Sequence, residues 1–382
     1  MTARIEIRQV AGKADDRLFT RLPFSLYKGE GMWVPPIMLE ENHFFDPKHN
    51  ASLRYAQCRR WLALREGKPV GRVAAILNPR VNEARGERRL RFSHLDFIDD
   101  AEVLRALMQA VEGWARELGM EAVMGPYAFT DMDRKGILVE GYDELPTVAG
   151  PWNFAYYGTR LEELGYAKLT DWIEYSIAVP EAIPEKMARI AEIVRKKNNL
   201  RAVPLTSTRQ LKRYADEVFD VLNAAYADIF GFIALTPEEI RMYTDLYFGF
   251  IRTEYLALVV DENDRVVAFG ISMPSLSRAM QKTKGRVNPF TALTLLRAMR
   301  HNDLIDLYLV GVVPEYQKKG VNAMLFEQLI PVYIRNGIKA VETNHELEDN
   351  AAVQQQWKFF DRRQHKRRRC YIRNLNDTGE TA

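Results

Sequence analysis

The stretch running from Leu307 through Val310-Gly-Val-Val-Pro314 and Gln317-Lys-Lys-Gly-Val-Asn322 to Ile330 constrains this 382-residue chain more than any other part of it. A β-rich run stops at Pro314, a short polar loop ends at Gly320, and Met324, Leu325, Leu329 and Ile330 recur at helical spacing. Strand, loop and helix start therefore stand together. Such a loop exposes unpaired backbone N–H groups at the positive end of a helix dipole, where a pyrophosphate can sit. Gly320 would permit close approach, and Lys318 and Lys319 would add positive charge. The plainer alternative is an ordinary strand-to-helix turn with solvated lysines.

The rest of the chain sets limits on what surrounds this loop. Its length exceeds what one core usually serves, which predicts two domains. The 54 Lys and Arg nearly balance 51 Asp and Glu, so a protein built to coat nucleic acid is not expected. Cys58 and Cys370 are far apart and lack metal-ligand spacing, which predicts no disulfide framework, no metal and a reducing cytoplasm. The N-terminus Met1-Thr-Ala-Arg-Ile-Glu-Ile lacks the apolar run of a signal peptide, and no stretch has the ~20 apolar residues of a membrane span.

Along the chain, Trp61 to Arg65 and Val70 to Leu77 read as a hairpin, and Leu90 to Phe97 as a third strand. Asp99-Asp100 can cap a helix from Ala101 to Leu118 with Val103, Leu104, Leu107, Met108, Val111 and Trp114 on one face. A strand from Glu121, a short helix from Tyr156 and a strand from Trp172 follow. The second half runs similarly: helices over Ser207 to Tyr226 and Pro237 to Tyr247, then strands Tyr255 to Val260, Val266 to Met273 and Asp306 to Val313. A helix from Val321 to Ile334, a strand from Ala340 to Asn344, a helix from Asn350 to Phe360 and a strand from Arg368 to Asn374 complete it. The recurrence suggests duplication, with domains over 1–180 and 201–382 joined by a linker helix in 181–200.

The loop resembles the acyl-CoA loop of the GNAT superfamily, in which Arg/Gln-x-x-Gly-x-Gly/Ala follows a strand and a Pro-containing turn. Gln317, Gly320 and Val312-Val313-Pro314 match; Asn322 departs. A second segment, Asn350-Ala-Ala-Val-Gln-Gln-Gln-Trp-Lys, is similar to the superfamily's Asn-x-x-Ala motif. The resemblance implies an α/β fold of two tandem GNAT-like domains, each a mixed, largely antiparallel sheet flanked by helices. It also implies acetyl-CoA or a longer acyl-CoA as co-substrate, held by Val312, Val313, Gln317, Lys318, Lys319, Gly320, Val321, Asn322 and Asn350. Trp357 stands where many relatives carry a tyrosine that protonates the leaving thiolate, and indole is no acid at neutral pH. Tyr371, Tyr316 or water could replace it. His345, Glu346 and Glu348 follow the strand from Ala340, and Glu346 or His345 is favoured as the base. Glu348 and Asp349 could instead serve the helix dipole.

Phe24-Ser-Leu-Tyr-Lys, Trp33-Val-Pro-Pro, Gly71-Arg-Val-Ala-Ala-Ile-Leu-Asn, Gly125-Pro and Gly136-Ile-Leu-Val-Glu-Gly-Tyr resemble a bacterial group of tandem GNAT-like proteins. Some of its members are linked to N-acylation of long-chain amines in sphingolipid synthesis. The expected activity is thus N-acyl transfer from CoA to a primary amine, small or lipid, in the cytoplasm or at the inner membrane face. A non-catalytic module sensing acyl-CoA or an anionic surface is the alternative. The N-terminal half offers Phe97-Ile-Asp-Asp where a phosphate loop would stand, and its carboxylates would repel pyrophosphate. Tyr127, Asp131, Asp133, Tyr156 and Tyr157 are its candidates for substrate contact, or else a structural seam. A helix over Asn288 to His301 reads as core-facing, with lipid contact as the second reading. The basic run Arg362 to Arg369 reads as a solvated hairpin turn, with contact to anionic lipid headgroups, the CoA 3′-phosphate or nucleic acid as the second reading. The sequence leaves the oligomeric state open.

Overall fold

The computed structural model describes residues 4–247 and 251–376, so Met1, Thr2 and Ala3 of the N-terminal reading lie outside the described residues. The chain forms two compact units, each with its own core. The first comprises Met1–Trp172, Met280–Val287 and Lys366–Ala382; the second comprises Ile173–Ala279 and Asn288–His365.

In the first unit, β1 (Ile5–Gln9), α1 (Gly12–Leu26), β2 (Gln57–Arg65), β3 (Lys68–Leu77) and β4 (Arg89–Phe97) are followed by α2 (Ala101–Glu117), β5 (Ala122–Gly125), β6 (Ile137–Glu140) and α3 (Tyr156–Glu163). Successive strands β1 to β4 pair antiparallel and β4 pairs parallel with β5. Asp100 caps α2 as its sequence position predicts, accepting from the N–H groups of Glu102 and Val103. The apolar face of α2, from Val103 to Trp114, lies in the core. A β-carbon on Gly71 would come within 2.9 Å of Leu107 Cδ1 and Val103 Cγ1, so a side chain there would push helix and sheet apart.

The second unit takes residues 173–178 of β7 (Ala167–Ala178), then α4 (Glu185–Lys197), α5 (Thr208–Arg213), α6 (Ala215–Ala225), α7 (Pro237–Tyr247), β8 (Leu256–Val260), β9 (Val266–Pro274), α8 (Pro289–Arg300), β10 (Leu304–Val312), α9 (Asn322–Arg335), β11 (Ala340–Thr343) and α10 (Ala351–Gln356). Strands β8, β9 and β10 pair antiparallel, and β10 pairs parallel with β11. Both units are therefore α/β, with the same order of antiparallel strands closed by one parallel pair.

Each sheet then adds a strand that is out of sequence. In the first unit the C-terminal strand (Arg362–Asn374) lies antiparallel to β5, with Tyr371 opposite Gly125 and Asn374 opposite Ala122. In the second unit, Ala178 of β7 lies opposite Ala340 of β11. The boundaries read from sequence, 1–180 and 201–382, therefore move: the last strand completes the first unit, and β7 from Ile173 completes the second. The expected linker helix is α4, whose Met187, Ala191 and Val194 are buried in the core of the second unit.

Three further expectations change. The helix over Ser207 to Tyr226 breaks at Tyr214 into α5 and α6. The basic run Arg362 to Arg369 is a strand and not a hairpin turn. Lys366 and Arg368 are fully buried, Lys366 Nζ donates to the Leu145 carbonyl at 3.1 Å, and Arg368 donates to the Pro151 carbonyl. Between them Arg367 and Arg369 reach the buried Asp171 at 3.1 and 2.9 Å. The alternation of a strand is hidden in a run of uniformly basic residues because the inward cations find carbonyl acceptors. Third, α8 is amphipathic but does not face a core: Phe290, Leu293 and Leu296 are 94%, 74% and 49% exposed. Among the described residues no helix is long and apolar enough to cross a membrane.

Candidate active site

The parallel pairing of β10 and β11 runs from Leu304 opposite Ala340 to Leu307 opposite Thr343. There it stops, while β10 continues to Val312, held on its other side by β9 with Val312 opposite Ala268. Among the described residues, 309–312 have no ladder partner on the β11 side; Asn344 Nδ2 donates to the Tyr308 carbonyl at 3.4 Å and Tyr226 Oη to the Val310 carbonyl at 3.2 Å. Polar groups along such an opening are available to an extended ligand.

The opening leads to the phosphate-type loop. Val313 N donates to the Val267 carbonyl, which ties the loop's start to β9, and Gln317 Nε2 donates back to the Val312 carbonyl at 3.1 Å. Lys318 and Gly320 both have positive φ, 58° and 83°. Lys318 to Val321 form a hydrogen-bonded turn, and among the described residues no N–H from Lys318 to Asn322 makes a close, well-aligned bond to a backbone acceptor. A turn of this shape at the start of the 14-residue helix α9 is the kind of place where an anion can be held. A β-carbon on Gly320 would lie 2.8 Å from Ile190 Cγ2 of α4, so the loop is backed closely by that helix. Lys318 and Lys319 are exposed, with Lys319 Nζ 5.0 Å from the Tyr316 ring centre.

Other residues singled out in the sequence take more structural places. Val321 is buried in the core. Asn322 Nδ2 donates to Gln356 Oε1 at 2.8 Å, tying the loop to α10. Asn350 caps α10, its Oδ1 accepting from Val353 N at 3.3 Å. Trp357 is buried and its Nε1 donates to Glu346 Oε1 at 2.8 Å. Burial pushes the Glu346 carboxyl up to about 7, against the opposing pull of the Trp357 and Thr343 hydrogen bonds and of Arg362. His345 Nε2 lies 3.3 Å from Glu174 Oε1, with both side chains buried. The chain thus brings His345 and Glu346 together just past the end of β11.

Tyr371 does not join them. It is buried in the core of the first unit, and its hydroxyl donates to Glu162 at 3.1 Å. Burial and that carboxylate push its pKa above the ordinary tyrosine value, the wrong direction for a proton donor. The reason is topological: the C-terminal strand belongs to the first unit from Lys366 onward.

Three residues of the second unit's interior escaped the sequence reading. Glu174, Glu342 and His365 come from three strands and are all buried, with ligand atoms within 4.8 Å of one another, close enough to hold a divalent cation. His365 Nε2 lies 3.4 Å from Glu342 Oε1. No spacing signal could reveal a set assembled from positions 174, 342 and 365.

In the first unit, Tyr127 donates to Asp131, Asp133 accepts from Thr130 N, Tyr156 donates to the Phe97 carbonyl, and Tyr157 bonds Tyr27. Each of these five residues is thus engaged in a hydrogen bond within the first unit. The same unit holds a cavity of about 100 Å³ lined by Tyr27, Trp33, Glu41, Arg72, His94 and Arg134, among others. Burial, with Arg72 and Arg134 nearby, holds the His94 pKa well below its ordinary value. Asp96, also on this wall, accepts from Arg72 Nε at 2.6 Å and from the Tyr27 hydroxyl at 2.7 Å.

No known family model matches the chain. It is 26% identical over 379 residues to Protein YghO of Escherichia coli (strain K12), covering 97% of this chain and 95% of that protein. It is 29% identical over 333 residues to a bacterial ceramide synthase of Caulobacter vibrioides (strain NA1000 / CB15N), covering 85% and 84%. Among solved structures, a tandem GNAT protein from the clavulanic acid biosynthesis pathway superposes with a TM-score of 0.56 at 14% identity, over 97% of this chain and 99% of that one. The chain has the tandem GNAT fold.

Proposed function

We propose that a protein with this fold and this loop is an acyl-CoA-dependent N-acyltransferase, working from its second unit on a primary amine. The observation that carries the reading is the turn from Lys318 to Asn322, whose N–H groups make, among the described residues, no close bond to a backbone acceptor, at the start of α9 and beside the edge of β10. Those donors suit the CoA pyrophosphate, and the open edge suits the extended pantetheine arm.

In this reading the amine nitrogen attacks the thioester carbonyl, the C–N bond forms and the C–S bond breaks. The proton lost by nitrogen passes to Glu346, whose carboxyl near neutrality is matched to that task, and the departing thiolate takes up a proton to leave as CoA-SH. Trp357 keeps Glu346 in place and is not the acid. Glu174, 3.3 Å from His345 Nε2, can hold the imidazole for a proton relay. The likeness to a bacterial ceramide synthase favours a long-chain amine and a fatty acyl-CoA as the pair.

Titration calorimetry with acetyl-CoA and palmitoyl-CoA tests the binding step; absence of binding to both at millimolar ligand would refute the reading. Release of CoA thiol with sphingoid and short amines tests turnover. Binding without release from any amine would leave the non-catalytic acyl-CoA sensor, which the buried and non-acidic Trp357 favours.

A further inference from the structure

Strands β9 and β10 are antiparallel neighbours, a pair that a turn of two to five residues can join. Here β9 ends at Pro274 and β10 begins at Leu304, and α8 lies in the long connection between them. Residues 280–287 of the connection belong to the first unit, whereas α8 belongs to the second and is not accounted for by that packing.

Helix α8 is well made. Asn288 accepts from Phe290 N and Thr291 N, Thr291 returns a hydrogen bond to the Asn288 backbone, and Pro289 occupies the first turn. Yet none of its 12 residues is buried. Phe290, Leu293 and Leu296 project at 94%, 74% and 49% exposure, spaced three apart along one side. Arg297 and Arg300 are exposed on the same side, at four and seven residues from Leu293. Along its own length α8 carries Arg297 and Arg300 and no Asp or Glu. A water-facing helix normally turns its large apolar side chains to the core, and a capped helix that turns them outward has a partner elsewhere.

We propose that α8 docks the protein on an anionic lipid surface, lying in the plane of the headgroups. Phe290, Leu293 and Leu296 enter the acyl boundary, while Arg297 and Arg300 extend their stems along the apolar layer and set their guanidinium groups against lipid phosphates. Three apolar anchors followed by two cations on the same side, with no carboxylate on the helix, fit a negatively charged interface. A second protein copy presenting the same face would set arginines against arginines. The inference is independent of the acyl-transfer reading, because binding is measured without acyl-CoA or amine.

The test is co-sedimentation of the full chain with vesicles of phosphatidylcholine alone and of phosphatidylcholine containing phosphatidylglycerol. The wild type should sediment with the anionic vesicles, weakly with the neutral ones, and less as salt is raised. Phe290→Glu combined with Leu293→Glu should lower binding by about tenfold or more while thermal stability is unchanged, since both side chains are already in water. Arg297→Glu combined with Arg300→Glu should abolish the preference for the anionic vesicles. Failure of the wild type to bind either vesicle, or equal binding by wild type and the Phe290/Leu293 variant, overturns the proposal. So does sedimentation velocity showing that the wild type self-associates through this face and the variant does not.

Discussion

Replacing Glu346 by Gln tests the electrostatics of the site apart from any assay of turnover. The carboxyl accepts a hydrogen bond from Trp357 Nε1 and is pushed by burial from an ordinary 4.5 up to about 7. A group whose pKa is raised on folding stabilises the folded state fully below its unfolded value, and that contribution is lost as pH rises through the folded value. The protein should therefore lose stability between pH 5 and pH 8. The gap between 4.5 and about 7, at about 1.4 kcal/mol per pH unit, makes this loss about 3 kcal/mol from Glu346 alone. Gln keeps the shape and can still accept from Trp357, but never charges. Urea unfolding followed by circular dichroism should show E346Q close to wild type at pH 5 and more stable by about 3 kcal/mol at pH 8. Identical pH dependence in the two proteins would refute a buried, neutral-poised Glu346.

Other consequences follow from the same geometry. Gly320→Ala places a β-carbon at positive φ and 2.8 Å from Ile190, so the loop should shift, with acyl-CoA affinity falling about tenfold for a strain of 1–2 kcal/mol; calorimetry reads this directly. Trp357→Phe removes the N–H donor from Glu346, which should move the acid limb of the rate profile upward by about one pH unit, since a hydrogen bond to a charged group contributes about 1.5–3 kcal/mol. An unmoved limb would separate Glu346 from catalysis. Glu174→Gln should lower kcat by about tenfold or more through His345 while leaving the KM for acyl-CoA in place, and a change in KM alone would argue against a relay.

What could be read from the sequence was what is local. Gln317 to Asn322 was legible because strand, glycine and helix start are adjacent, and the physics of unpaired N–H groups needs no distant partner. The cap at Asp100 and the buried face of α2 were legible for the same reason. The place of Tyr371 is not legible because its strand pairs with strands far back in the chain, Tyr371 lying opposite Gly125 and Arg369 opposite Ile137. The cluster of Glu174, Glu342 and His365 was invisible because pairing across strands, not spacing, assembles it. Arg362 to Arg369 misled through composition: eight polar residues suggest solvent, and only the carbonyls of Leu145 and Pro151 make burial of Lys366 and Arg368 tolerable. For α8, periodicity revealed a stripe but not the direction in which it points.

The out-of-sequence strands bear on how the protein is made. During synthesis β5 emerges early, yet its outer neighbour is the stretch from Tyr371 to Asn374, so the first unit keeps a raw sheet edge until translation has passed Asn374. The second unit has the opposite history, since residues 173–178 are waiting before β11 is translated. A nascent chain of this kind cannot finish one half before starting the other. A stop codon just before Lys366 would therefore injure the N-terminal core most, although every residue before β7 would still be present.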